Sequence, residues 1–244
     1  MTYRLGRAES RQENNARPPT VLPLLLESFP RIGPDGLPDS CVTVASSDPR
    51  ILLSVHRPEV HLAIWHRYLP DSLSGRKLRP LMDAAPFTAI ANAPPAAVSD
   101  RLAEALPAPA PADLLLDIAD LALAFTMLDG HRGAVRVRLE ALTHDGCSRW
   151  HADAIGLRLL CTYRGPGTEF LPLEGGAAAA RALPIGAPHH AMGQIATGAV
   201  AIMKGERHPG AAGQACIHRS PAAGPGQRAR LLLCIDQPEW NLDE

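Results

Sequence analysis

The sequence predicts an α+β protein: a C-terminal double-stranded β-helix, or jelly roll, with an N-terminal, mostly helical region packed on it. Three observations carry this. The spacing of apolar residues changes from about 3.6 before residue 130 to about 2 after residue 134. Several short apolar runs then follow, each closed by a Gly/Pro turn, as in sandwiches and jelly rolls. The 24 Pro and 20 Gly among 244 residues recur between apolar runs without a fixed period, which suits many short elements better than a helix bundle.

In chain order, residues 1–19 are polar and read as a solvated tail, and an apolar stretch at 20–29 opens the N-terminal region. Ile-Leu-Leu-Ser-Val at 51–55 reads as a buried strand. Pro58 can begin a helix, and Val60, Ile64, Trp65 and Tyr68 recur at helical spacing, so a helix is expected over 58–69. The segment 93–112, with Pro94, Pro95, Pro107, Pro109 and Pro111 around a short helix at 99–106, reads as a stiff connector ending the region 20–112.

Residues 113–238 form the expected jelly-roll domain with a leading helix, followed by a tail at 239–244. The helix has Asp113 near its start, Leu114, Ile118, Leu121, Ala122 and Phe125 on one face, and Gly130 at its stop. Strands are expected at 134–142, 156–164, 195–204, 214–218 and 228–236. In the last, Leu231, Leu233 and Ile235 form an apolar face that should meet the helix, while Arg228 and Arg230 face the barrel interior.

Composition excludes several classes. The 24 Lys and Arg nearly cancel the 25 Asp and Glu, so no overall basic footprint for nucleic acid or an anionic membrane exists. The uncharged stretch 182–203 is long enough for a bilayer but holds Pro184, Pro188, His189, His190 and three glycines, which argues against a span. No apolar signal segment opens the chain. Five cysteines, Cys41, Cys147, Cys161, Cys216 and Cys234, without a Cys-x-x-Cys pair, suit neither a disulfide framework nor a four-cysteine zinc clip. The expected compartment is the cytoplasm.

One constellation carries chemistry. His151 and Asp153, separated by one residue on an extended backbone, point the same way and can bind one metal ion. Alone the pattern means little, because 10 His and 14 Asp give roughly 0.6 His-x-Asp triplets by chance. His218 then ends a later strand, and a strand carrying Arg228 and Arg230 follows. Two histidines and one carboxylate on one face of an ion leave the opposite positions open, the facial arrangement of non-haem Fe(II) oxygenases. A guanidinium fork suits the distal carboxylate of a 2-oxo acid.

With this order of residues, about 133–238 resembles the iron- and 2-oxoglutarate-dependent oxygenases of the prolyl-hydroxylase type. The resemblance implies Fe(II) held by His151, Asp153 and His218, and 2-oxoglutarate anchored by Arg228 in Gly-Gln-Arg at 226–228, with Arg230 in support. Trp-His-Ala-Asp at 150–153, Met-Lys-Gly-Glu at 203–206 and Ile-His-Arg-Ser-Pro at 217–221 are also similar to an uncharacterised bacterial family, a domain of unknown function. That likeness names no reaction. It carries a hint of metal homeostasis, through neighbouring genes for zinc-responsive metallochaperones.

Three alternatives stay open. His151 and Asp153 could be a plain hydrogen-bonded pair at a strand end. Glu140, Glu169 or Asp236 could neutralise the buried arginines in place of a ligand. Cys147, in a polar loop four residues before His151, could complete a zinc site and make the protein a non-catalytic metal binder. The substrate, small molecule or protein, would be chosen by loops whose sequence names no chemistry.

Overall fold

In the computed structural model the described residues are 42–73, 75–184, 192–211, 213–222 and 229–238. The tails at 1–19 and 239–244, the apolar stretch at 20–29, Cys41, His189 with His190, and Arg228 lie outside them.

Among the described residues ten strands form two sheets. The larger contains β1 (Val42–Ser46), β2 (Val60–Trp65), β3 (Phe87–Ala93), β4 (Val135–Leu142), β5 (Leu157–Arg164), β8 (Val200–Lys204) and β10 (Arg230–Asp236), in the order β1-β2-β8-β5-β10-β4-β3. Only the β1–β2 pairing is parallel. The smaller sheet has the order β7-β6-β9, from β6 (Glu169–Leu171), β7 (Gly193–Gln194) and β9 (Ile217–Arg219). Four α-helices accompany them: α1 (Arg79–Asp83), α2 (Val98–Ala105), α3 (Ala112–Asp129) and α4 (Gly176–Ala182).

The alternation on β4 settles how this sheet lies. Val135, Val137, Leu139 and Ala141 are buried in one cluster with Leu114, Ile118, Leu121 and Phe125 of α3, and with Leu231, Leu233 and Ile235 of β10. Each large apolar side chain so buried contributes about 1.5–3 kcal/mol. The opposite face of the large sheet supplies Leu62, Ile64, Leu160, Met203, Leu232 and Cys234 to a second cluster with Cys216 and Phe170 of the small-sheet side. The two sheets therefore face one another across an apolar layer, and polar residues occupy one part of it. Gly130 ends α3 in the left-handed conformation, φ 74°, where a side chain would be strained.

Two N-terminal expectations are corrected. Residues 51–55 belong to a 3₁₀ helix, Pro49–His56, whose start is capped by Asp48 accepting from the Arg50 N–H at 2.9 Å. The expected helix at 58–69 is strand β2, buried along its whole length. Short apolar runs buried on both faces carry no period, so spacing could not separate strand from helix. The N-terminal region is also less helical than expected, because β1, β2 and β3 enter the large sheet itself. Strand β3 and helix α4 were not foreseen; Ala-Ile-Ala-Asn-Ala at 89–93 lacks the bulk that marks a strand. Among the described residues no helix is long and apolar enough to cross a membrane.

Candidate metal centre

A single antiparallel bridge builds the site. The loop after β4 returns at His151, which exchanges both backbone hydrogen bonds with His218 on β9: its N–H donates to the His218 carbonyl at 3.0 Å and its carbonyl accepts at 2.9 Å. Directly paired residues project to one side, and the two imidazole centroids lie 4.3 Å apart, tilted by 50°. Asp153, two residues on, comes to the same side.

The turn after β8 clamps the Asp153 loop. Gly205, Glu206 and Arg207 donate backbone N–H groups to the carbonyls of Gly156, Asp153 and Ile155 at 2.8, 2.8 and 3.0 Å. So close an approach requires glycine at 205, because a Cβ there would sit 2.3 Å from the Ile155 carbonyl oxygen and 2.7 Å from that of Asp153.

Donor atoms of His151, Asp153 and His218 all lie within 4.8 Å of one another. His151 Nε2 is 3.6 Å from Asp153 Oδ1, and His218 Nε2 is 3.3 Å from Asp153 Oδ2. Adjacent ligands about 2.1 Å from one ion stand ~3 Å apart, so little movement would seat a cation. The other ring nitrogens are committed: His151 Nδ1 donates to the Arg149 carbonyl at 2.9 Å and His218 Nδ1 to the Cys216 carbonyl at 3.1 Å. Such second contacts fix the tautomer and aim each Nε2 lone pair at the carboxylate. Facing acceptors need a cation between them, and one metal ion serves all three where a proton serves one pair. The donor set fits a divalent ion.

Burial pushes the His151 imidazole below its ordinary value, and neighbouring His218 adds to this, which favours the neutral, ligating form. Burial alone would raise the Asp153 carboxyl, but His218, Arg158 and His151 outweigh it and hold the group below the usual carboxylate range.

Cys147 is exposed, and its Sγ lies 3.5 Å from His151 Nδ1, the nitrogen on the other side of the ring from the one facing Asp153. The structure brings His151, Asp153 and His218 together and leaves the Cys147 thiol across the imidazole from them.

The interior arginines differ in whether a carboxylate stands beside them. Arg138 Nε lies 3.0 Å from Glu140, Arg219 donates to Glu169 at 2.7 Å, and Arg158 donates to Asp236 at 2.6 Å. Every carboxylate expected to neutralise the interior arginine thus has another partner. Among the described residues Arg230, 5% exposed, meets only hydroxyls: Thr168 at 2.7 Å, Thr162 at 3.3 Å and Ser220 at 3.4 Å. Its Nε, like that of Arg138, is buried without a hydrogen-bond partner among the described residues. Burial lowers the affinity of Arg230 for its proton, whereas Arg158, equally buried, is raised because Asp153 and Asp236 outweigh burial. Thr168 and Ser220 line, with His151 and His218, one cavity of about 270 Å³.

Sequence reasoning missed Arg158, which donates to Asp153 Oδ2 at 2.6 Å. Its only signal was a charge inside the apolar run Leu-Arg-Leu-Leu-Cys at 157–161. Thr162, Thr168 and Ser220 gave no signal at all.

The fold and site define a mixed α/β protein built on one large sheet, with a His-Asp-His cluster able to hold a metal ion beside a buried arginine. The chain belongs to the family described as "protein of unknown function (DUF1826)", which matches residues 46–236. No curated protein matches it in sequence. Among solved structures it is similar to the dioxygenase for auxin oxidation 1 of Arabidopsis thaliana, in its complex with 2-oxoglutarate, at 13% identity and a TM-score of 0.37. The chain spans 62% of that protein's length, and 62% of this chain is covered. It is also similar to a prolyl-4-hydroxylase of Pseudomonas putida, at 12% identity and a TM-score of 0.41, over 77% of this chain and 97% of that one. Likenesses of this order carry no argument about the reaction, which rests on the side chains.

Proposed function

We propose that this protein is a non-haem Fe(II)- and 2-oxoglutarate-dependent oxygenase, a hydroxylase, whose two facing sheets form a double-stranded β-helix. One observation carries the reading: the two histidines of a converging His-Asp-His cluster share a cavity with Thr168 and Ser220, hydroxyl partners of a buried guanidinium that has no carboxylate partner among the described residues.

In this reading His151 Nε2, Asp153 and His218 Nε2 hold the ion, and the carbonyls of Arg149 and Cys216 keep the imidazoles turned toward it. Arg230 receives the distal carboxylate of 2-oxoglutarate, which would answer its unpartnered Nε, and Thr168 and Ser220 frame that end. The reading puts the anchor on Arg230; Arg228, the anchor expected from the sequence, lies outside the described residues. When bound, iron and 2-oxoglutarate supply oxidising power from dioxygen, at the expense of the oxo acid's first carboxylate. Leu142, Leu160, Leu232 and Cys234 wall the cavity and keep bulk water from the centre. Exposed His144 and Cys147 mark the mouth by which a small-molecule or protein substrate would enter.

Anaerobic addition of Fe(II) and then 2-oxoglutarate should give a visible charge-transfer band and raise the unfolding temperature. No band and no protection by 2-oxoglutarate would contradict the proposal.

A second reading, a non-catalytic zinc protein, is carried by Cys147, whose thiol lies 3.5 Å from His151 Nδ1. It predicts that Cys147→Ala loses zinc.

A further inference from the structure

Asp153 has one more contact than a metal ligand needs. The Arg158 guanidinium donates through Nη1 to Asp153 Oδ2 at 2.6 Å, and through Nε and Nη2 to Asp236 Oδ2 at 3.1 and 2.6 Å. The three side chains are 8%, 15% and 6% exposed, so the chain of charges is shielded from solvent. Sheet register produces it: β10 runs antiparallel to β5 with Ile235 opposite Leu159, and the next step brings Asp236 beside Arg158. One cation is thus shared by two carboxylates, only one of which belongs to the metal cluster.

Stability alone gives little account of this. Buried ion pairs and triads are often matched or exceeded by apolar residues of similar volume. The effect on Asp153 is more specific. A free carboxylate can bind an ion through one oxygen or both, and using both removes a position that other ligands need. Oδ2 takes the guanidinium and also lies 3.3 Å from His218 Nε2, which leaves Oδ1, 3.6 Å from His151 Nε2, as the oxygen clear of the guanidinium and open to the ion.

Resting on the metal reading of this site, we propose that Arg158 is a positioning residue that restricts Asp153 to single-oxygen ligation, and that Asp236 fixes Arg158 in that role. The protein then contributes three donor atoms, and the positions across the ion stay open for a bidentate oxo acid and a further ligand. Asp236 does not itself line the cavity; it acts through Arg158, which does.

The test uses the full chain, Co(II) as the probe, and folded variants verified by circular dichroism and thermal melting. Arg158→Leu combined with Asp236→Leu removes the pair together, so that no lone charge is left between them. Arg158→Lys keeps the charge but cannot reach both carboxylates in a fork. Asp236→Asn leaves Asp153 and Arg158 both present. The double variant is expected to bind Co(II) roughly 10- to 100-fold more weakly, the usual effect of removing a ligand's outer partner, and the two single variants less so. The visible Co(II) spectrum should change in all three, a readout that altered stability alone would not move. Folded variants with wild-type Co(II) affinity and spectrum would overturn the inference while leaving the metal reading intact. Failure of the wild-type chain to bind Co(II) would overturn the metal reading, and the inference with it.

Discussion

The guanidinium of Arg230 donates to the hydroxyl of Thr168 at 2.7 Å, and that contact with an uncharged group is the shortest it makes among the described residues. A buried cation without a carboxylate is costly unless a ligand supplies the negative charge. Arg230→Met should therefore leave the fold as stable as the wild type, or more so, while 2-oxoglutarate binds roughly 10- to 100-fold more weakly, equivalent to about 1.5–3 kcal/mol for a charged hydrogen bond. Urea unfolding and isothermal titration read the two effects separately. Unchanged affinity for 2-oxoglutarate would remove Arg230 from the site.

The clamp on the Asp153 loop is open to a single methyl group. A Cβ at position 205 would lie 2.3 Å from the Ile155 carbonyl oxygen, so Gly205→Ala must push the turn and the 153–155 loop apart. The expected cost is about 1–3 kcal/mol in denaturant unfolding, together with weaker metal binding because Asp153 moves. Wild-type behaviour in both would show that the clamp does not position the carboxylate.

Acid should act on His61, away from the metal centre. This side chain on β2 is 1% exposed, lies 3.0 Å from the Thr43 hydroxyl through Nε2, and has a buried Nδ1 without a partner among the described residues. Burial, aided by the Lys204 ammonium, pulls its imidazole down to about 4 from 6.5. The unfolded chain therefore binds this proton first, and folding stability falls as pH drops from the unfolded value toward the folded one. Below about 4 both states are protonated and the loss stops growing. The full effect is about 3 kcal/mol. His61→Leu should flatten that limb of stability against pH, measured by urea unfolding between neutrality and acid. An unchanged slope would show that His61 is not the group responsible.

Where one face of an element repeats over many residues, the sequence was legible. The helix at 113–128 and the alternating strand at 134–142 appear within a residue or two as Ala112–Asp129 and Val135–Leu142. Residues 60–65 are buried along their whole length and so have no period to read, while 51–55 is too short for the three-residue spacing of its buried Leu52 and Val55 to show. In the site, the order His151, Asp153, His218 could be read along the chain, because a strand sets the direction of nearby side chains. Which arginine meets which carboxylate could not. Arg158 and Asp236 are 78 positions apart and meet only through the register of β5 on β10. The same register gave Asp236 to Arg158 and, among the described residues, left Arg230 to hydroxyls.

The central claim is that His151, Asp153 and His218 hold one divalent ion, and anaerobic titration of metal-free protein with Fe(II) tests it most directly. The account predicts one ion per chain, lost in His218→Ala and retained in Cys147→Ala, since the Cys147 thiol faces the other side of the His151 ring. No binding by the wild-type chain, or full binding by His218→Ala, would contradict it.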